Sequence, residues 1–174
     1  MNIDIVKVGF LKTNCYILSK DNKVLIIDPG DEYDKIMSNV GDKTIAGILI
    51  THNHFDHIGC LEYFDKDIIF DYNNLNIGIN KIDNFEFEVI HNPGHKEDSI
   101  SFYFDNKYLF CGDFIFYESI GRTDLKGGNI NDMIQSVRET KRYSDDVIIY
   151  PGHGDSTTFK HEREYNDFFK EYYE

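Results

Sequence analysis

Apolar residues crowd three short segments at the start of the chain, 2–8, 13–18 and 23–28, and the last two are separated by the turn residues Asp21-Asn22. That pattern predicts an antiparallel meander. Beyond Asp28-Pro29-Gly30 the period changes: Tyr33, Ile36, Met37 and Val40 fall at i, i+3, i+4, i+7, one face of a helix that Gly41 ends. A strand is predicted over 44–51 and a helix over about 56–64, carried by Ile58, Leu61 and Phe64. Segments 85–91, 99–104, 107–110 and 147–150 read as further strands, each halted by a cluster of turn residues. Helical spacing returns in Ile130, Met133, Ile134 and Val137, and again in the aromatic stripe from Tyr165 to Tyr173, which predicts a helix docked on a core. The chain has no repeat, low-complexity tract or linker, so the expectation is one α/β domain over 1–174, with helices covering a sheet sandwich.

Composition narrows the partners. With 41% hydrophobic and 15% aromatic residues, 174 residues suffice for a sizeable core. Acidic residues outnumber basic ones 31 to 18, a net charge of -13 that repels phosphate backbones and anionic lipid. Nucleic acid and membrane surfaces are therefore not expected, which leaves a small-molecule substrate. No apolar run approaches the ~20 residues of a membrane span, and the charged first residues do not suit a secretory leader. Cys15, Cys60 and Cys111 are far apart and form no Cys-x-x-Cys pair, so buried thiols in a reducing cytoplasm are expected.

The segment Thr51-His52-Asn53-His54-Phe55-Asp56-His57-Ile58-Gly59 places three histidines and an aspartate within six positions. Residues two apart in an extended chain point the same way, so His52 and His54 can offer two imidazoles to one ion. Asp56 and His57, where the next helix opens, aim elsewhere and suit a second ion. Such a cluster is hard to keep compensated without metal. His95 in His91-Asn92-Pro93-Gly94-His95, Asp113 in Cys111-Gly112-Asp113 and His153 in Pro151-Gly152-His153-Gly154 each follow a predicted strand, where a scaffold positions functional groups.

On these motifs the chain resembles the metallo-β-lactamase superfamily of hydrolases, from Asp28-Pro29-Gly30 through Pro151-Gly152-His153-Gly154. The His-x-His-x-Asp-His signature is the most specific element. With Gly121-Arg122-Thr123-Asp124 and Gly127-Gly128, it looks most like short glyoxalase II (hydroxyacylglutathione hydrolase)-like proteins. The resemblance implies a four-layer αββα sandwich. It also implies that His52, His54 and His95 hold one metal and Asp56, His57 and His153 the other, with Asp113 bridging both. Zinc is the default ion, with iron or manganese as alternatives. The implied chemistry is hydrolysis by a metal-bridging hydroxide that Asp56 helps to orient, with Asp56 and Asp113 as the catalytic carboxylates.

No surplus acid stands in these motifs to protonate an amine, so an anionic thioester is the expected substrate, a lactone or other ester the next. The alternative on the same scaffold is an iron-dependent oxidoreductase of the flavodiiron or persulfide dioxygenase type. The chain departs from the pattern at Asn92, where threonine is common, and at Asp98, where glycine is usual; it also has only some twenty residues after Gly154, where glyoxalase II carries a helical region for glutathione. His91 and His161 are expected to be an ordinary strand-end residue and a solvated helix residue. Arg122 is open to two roles, a substrate contact or a salt bridge with Asp124 or Glu118.

Overall fold

The computed structural model describes residues 1–173. β1 (Asn2–Val8), β2 (Thr13–Lys20) and β3 (Lys23–Ile27) form the predicted meander. After α1 (Tyr33–Val40) the chain returns as β4 (Thr44–Leu49), parallel to β3, and β5 (Ile69–Phe70) closes that five-stranded sheet. Between β4 and β5 lie the short α2 (Phe55–Ile58) and single 3₁₀ turns. The second sheet comprises β6 (Gly78–Ile82), β7 (Phe85–His91), β8 (Ile100–Phe104), β9 (Tyr108–Gly112), β12 (Ile148–Pro151) and β13 (Thr157–Thr158), ordered β13-β12-β9-β8-β7-β6. A small hairpin, β10 (Ile115–Phe116) with β11 (Ser119–Ile120), follows β9. The helices α3 (Ile130–Glu139), α4 (Phe159–Tyr165) and α5 (Asp167–Tyr172) complete the chain.

Why four layers form is written in the alternation of buried side chains. In β2, Tyr16 and Leu18 face the second sheet while Cys15 and Ile17 face α1; in β3, Leu25 and Ile27 divide from Val24 and Ile26 in the same way. In β9, Phe110 joins the core between the sheets while Leu109 and Cys111 pack under α3 to α5. Strands apolar on both faces need a cover on each. The result is the expected αββα sandwich, with its central layer filled by Phe85, Phe87, Phe102, Phe104 and Phe110 against Leu18, Leu25 and Leu49.

Two helices differ from the sequence expectation. The helix expected over 56–64 stops at Ile58, because the Cys60 amide donates to Pro29 O (3.0 Å) and Gly59 lies against the Gly30 carbonyl. The aromatic stripe spans a break: Tyr165 ends α4 and is exposed, and Asn166 caps α5, accepting from the amides of Phe168 and Phe169. Phe169 is fully buried in the core, as a docked helix requires. All three cysteines are free and buried, and no helix among the described residues is long and apolar enough to cross a membrane.

Candidate metal centre

The edge of the sandwich where β4, β9 and β12 end gathers the seven ligand candidates. His52 and His54 follow β4, α2 carries Asp56 and His57, the β7–β8 loop carries His95, and Asp113 and His153 follow β9 and β12. Ligating atoms of His52, His54 and His95 lie within 4.8 Å of one another, as do those of Asp56, His57 and His153, and those of His52, His57 and Asp113. Asp113 stands between the groups: Oδ1 is 3.4 Å from His57 Nε2, and Oδ2 is 3.6 Å from both His95 Nε2 and His153 Nε2. His153 Nε2 and His57 Nε2 approach Asp56 Oδ2 at 3.2 and 3.4 Å.

The outward hydrogen bonds decide which nitrogens face inward. His95 Nδ1 donates to Arg122 O (2.8 Å), His153 Nδ1 to Leu11 O (3.2 Å) and His57 Nδ1 to Asp28 Oδ2 (2.8 Å). His52 Nδ1 donates to Thr51 Oγ1 (3.0 Å), whose own hydrogen goes to Asp28 Oδ2 (2.7 Å). Each of these rings therefore turns its Nε2 toward the centre. His54 Nδ1 sits 3.0 Å from His52 Nε2 and 2.9 Å from His95 Nε2, so three nitrogens converge with at most one proton to share. One cation satisfies all three. On the other side, His57 Nε2 and Asp113 Oδ1 are buried with no hydrogen-bond partner, which a cation between them also resolves. The donor set, imidazoles and carboxylates, suits zinc, iron or manganese.

Burial sets the charges before any ion enters. Desolvation, with the neighbouring imidazoles, pushes His52 well below the usual histidine range and His54 below it, so both are neutral and able to ligate. Burial disfavours a charged His57 as well, but the Asp28 carboxylate and then Asp113 outweigh it and raise His57 to about 10. His153 is raised too, its burial overcome by Asp56 and Asp113. Burial works against both carboxylates, yet His153, His57 and Thr13 Oγ1 (2.9 Å) hold Asp56 below the ordinary range, and His57, His153 and His95 do the same for Asp113.

The cluster closes only because the backbone comes close. A Cβ on Gly152 would stand 2.1 Å from Asp113 Oδ1 and 2.7 Å from His57 Cε1.

Sequence reading overlooked five groups here: Asp28, Thr51, Thr13 and the Arg122 and Leu11 carbonyls. Asp28 was legible in one respect, as an acidic residue directly after the wholly apolar Val24-Leu25-Ile26-Ile27 with no nearby cation. His91 is the expected strand-end residue, donating from Nε2 to Glu97 O (2.9 Å), with its ring tilted against that of Tyr72. His161 differs from the solvated residue expected. The β10–β11 hairpin folds over α4, so its ring lies between Tyr117 and Tyr165 and bonds Glu118 at 2.9 Å. Arg122 makes the salt bridge rather than a free cation, with both Asp124 oxygens engaged at 2.8 and 2.9 Å.

Comparison with known proteins agrees with this geometry. The family model described as "Metallo-beta-lactamase superfamily" matches residues 8–72 and 69–153. The chain belongs to that superfamily. It is 34% identical to a probable metallo-hydrolase of Streptococcus pyogenes, over 90% of this chain and 85% of the relative. It is also 31% identical to the hydroxyacylglutathione hydrolase GloC of Haemophilus influenzae, over 97% and 98%. Among solved structures it superposes on the BLEG-1 B3 metallo-β-lactamase with a TM-score of 0.89 at 28% identity, covering 96% of this chain and 99% of that one. It superposes on TTHA1623 in a di-iron-bound form with 0.83 at 27%, covering 95% and 99%.

Proposed function

We propose that this superfamily member is a dinuclear metal-dependent hydrolase of thioesters. In this reading His52, His54 and His95 would hold one divalent ion and Asp56, His57 and His153 the other, with Asp113 available to both. The observation that carries it is the convergence of unprotonated ring nitrogens and orphaned buried atoms on two adjacent points. When bound, such ions lower the pKa of a shared water from about 15.7 toward 7 and polarise a carbonyl oxygen.

The protein's own residues set the rest. Asp28 and the Arg122 and Leu11 carbonyls fix the ring orientations, and Thr13 holds Asp56 Oδ2. Asp56 and Asp113 are both kept ionised, so neither carboxyl has a proton to give an amine leaving group. A thiolate, with a pKa near 8.5, leaves without one. That favours a thioester over an amide, and a lactone or activated ester ranks next.

This chain spans 98% of the length of the Haemophilus relative named as a hydroxyacylglutathione hydrolase. This supports a hydroxyacyl-glutathione thioester as the first substrate to try. Zinc is the proposed ion. The di-iron-bound neighbour makes iron the alternative to be read out by elemental analysis.

The test combines metal content with a panel of hydroxyacyl-glutathione, other acyl-thiol, lactone and β-lactam substrates. About two equivalents of metal per chain and thioester turnover that disappears in His54→Ala and Asp113→Ala are expected. Turnover persisting in either folded variant, or a lactone or β-lactam hydrolysed far faster than any thioester, refutes the reading.

A further inference from the structure

The three-histidine group straddles a seam between the two sheets. His52 and His54 leave the end of β4 in the first sheet, and His95 belongs to the β7–β8 loop of the second. Besides the contact between the His54 and His95 rings, two bonds tie the 51–53 backbone across that seam. The first is ordinary backbone pairing, Ile100 N–H to Thr51 O at 2.9 Å. Two residues further on, continued pairing would need a carbonyl opposite the Asn53 amide, and a side chain supplies it: Asn53 N–H donates to Asp98 Oδ2 at 3.2 Å. The other oxygen, Oδ1, accepts from Lys96 Nζ at 3.0 Å, and the Lys96 carbonyl closes the turn by accepting from the Ser99 amide at 3.2 Å. Both side chains are mostly covered, 18% exposed for Lys96 and 21% for Asp98.

Asn53 is the residue between His52 and His54. Of the three histidines, His52 is braced through Nδ1 by Thr51 and His95 through Nδ1 by the Arg122 carbonyl. His54 has no such brace: its hydrogen-bond partners among the described residues are the other two rings. The place of its imidazole is therefore set by its own backbone, and the side-chain bond that crosses the seam to that backbone comes from Asp98.

We propose that Asp98, aimed by Lys96, is a positioning residue for the three-histidine site. Its carboxylate acts as a substitute strand carbonyl that locks the 52–54 backbone to the loop carrying His95, and so presets where His54 Nδ1 stands. This rests on the dinuclear-metal reading above. Asp98 is not among the ligands proposed for either ion.

The experiment titrates Co²⁺ into the full chain and into Asp98→Ala, Asp98→Asn and Lys96→Met, against a chromophoric chelator, and follows amide hydrogen exchange at Asn53. Asp98→Ala is expected to weaken one of the two Co²⁺ equivalents by about tenfold, the size seen when groups orienting metal ligands are removed, and to alter the Co²⁺ absorption spectrum. It is also expected to speed Asn53 exchange. Asp98→Asn keeps an acceptor oxygen and should restore affinity to within about threefold, whereas a role as bulk negative charge would leave it as weak as alanine. Lys96→Met should fall between the two. Wild-type affinity and unchanged Asn53 exchange in Asp98→Ala overturn the proposal, as does asparagine failing to rescue. Should the alanine variant not fold, an Asn53 amide in the wild-type protein that exchanges as fast as an open loop overturns it too. Absence of Co²⁺ uptake by the wild type would sink the metal reading instead, with the exchange measurement still deciding the clamp.

Discussion

Replacing Asp28 with asparagine probes the support of the centre without touching a proposed ligand. Asp28 is 2% exposed and its carboxylate accepts three bonds: the Thr51 amide at 2.8 Å, Thr51 Oγ1 at 2.7 Å and His57 Nδ1 at 2.8 Å. The asparagine Nδ2 must take one of the two oxygen places, facing either the Thr51 amide or both the Thr51 hydroxyl and the His57 ring, so in either case one donor meets another and the imidazolium loses its counter-charge. Removing one partner of a buried charged pair costs about 3–5 kcal/mol, a large share of the roughly 5–15 kcal/mol that holds a domain together. The sign with pH follows from His57. Its folded-state pKa of about 10 exceeds the 6.5 of a free imidazole, so the stability it contributes to the metal-free protein is fully present below about pH 6.5 and lost as pH climbs through 10. Urea unfolding of the metal-free wild type and variant at pH 6, 8 and 10 measures this. The gap should be widest at pH 6 and shrink toward pH 10. A gap below about 1 kcal/mol, or one that widens as pH rises, refutes the reasoning.

Gly152→Ala should leave the far-ultraviolet circular dichroism intact but lower metal content, because the new methyl must displace Asp113 Oδ1 or the His57 ring. Phe102→Ala, at a fully buried ring packed edge-on to Phe87 between the sheets, should cost about 3–5 kcal/mol in urea unfolding. Arg122→Ala should change stability by less than about 1 kcal/mol and leave metal content unchanged, since its side chain is exposed on Asp124 and only its carbonyl meets His95.

How far the sequence was legible depends on the range of the forces involved. β7 has the bounds its alternation predicts, and β1 to β3 agree to within two residues, because period-two burial is a local signal. Strands β5, β6 and β13 and the β10–β11 hairpin went unpredicted: β6 is an edge strand with exposed Ile79 and Lys81, and the others have two residues each. α2 was overextended because its end is set by the Pro29 carbonyl from a distant turn. At the centre, all seven chemically marked residues came together, since histidines and aspartates at strand ends stand out in any sequence. The groups that orient them did not stand out. A backbone carbonyl at Arg122 or Leu11 has no sequence signature, and Thr51 and Thr13 look like ordinary strand residues until the fold brings Asp28 and Asp56 to them.

The central claim is that two cations share this one cluster. A crystal of the metal-loaded protein, measured on either side of the metal's absorption edge, tests it most directly. Two anomalous peaks are predicted, one ringed by His52, His54 and His95 and one by Asp56, His57 and His153, with Asp113 in contact with both. A single peak, or peaks away from these side chains in a protein that still turns over substrate, would contradict it.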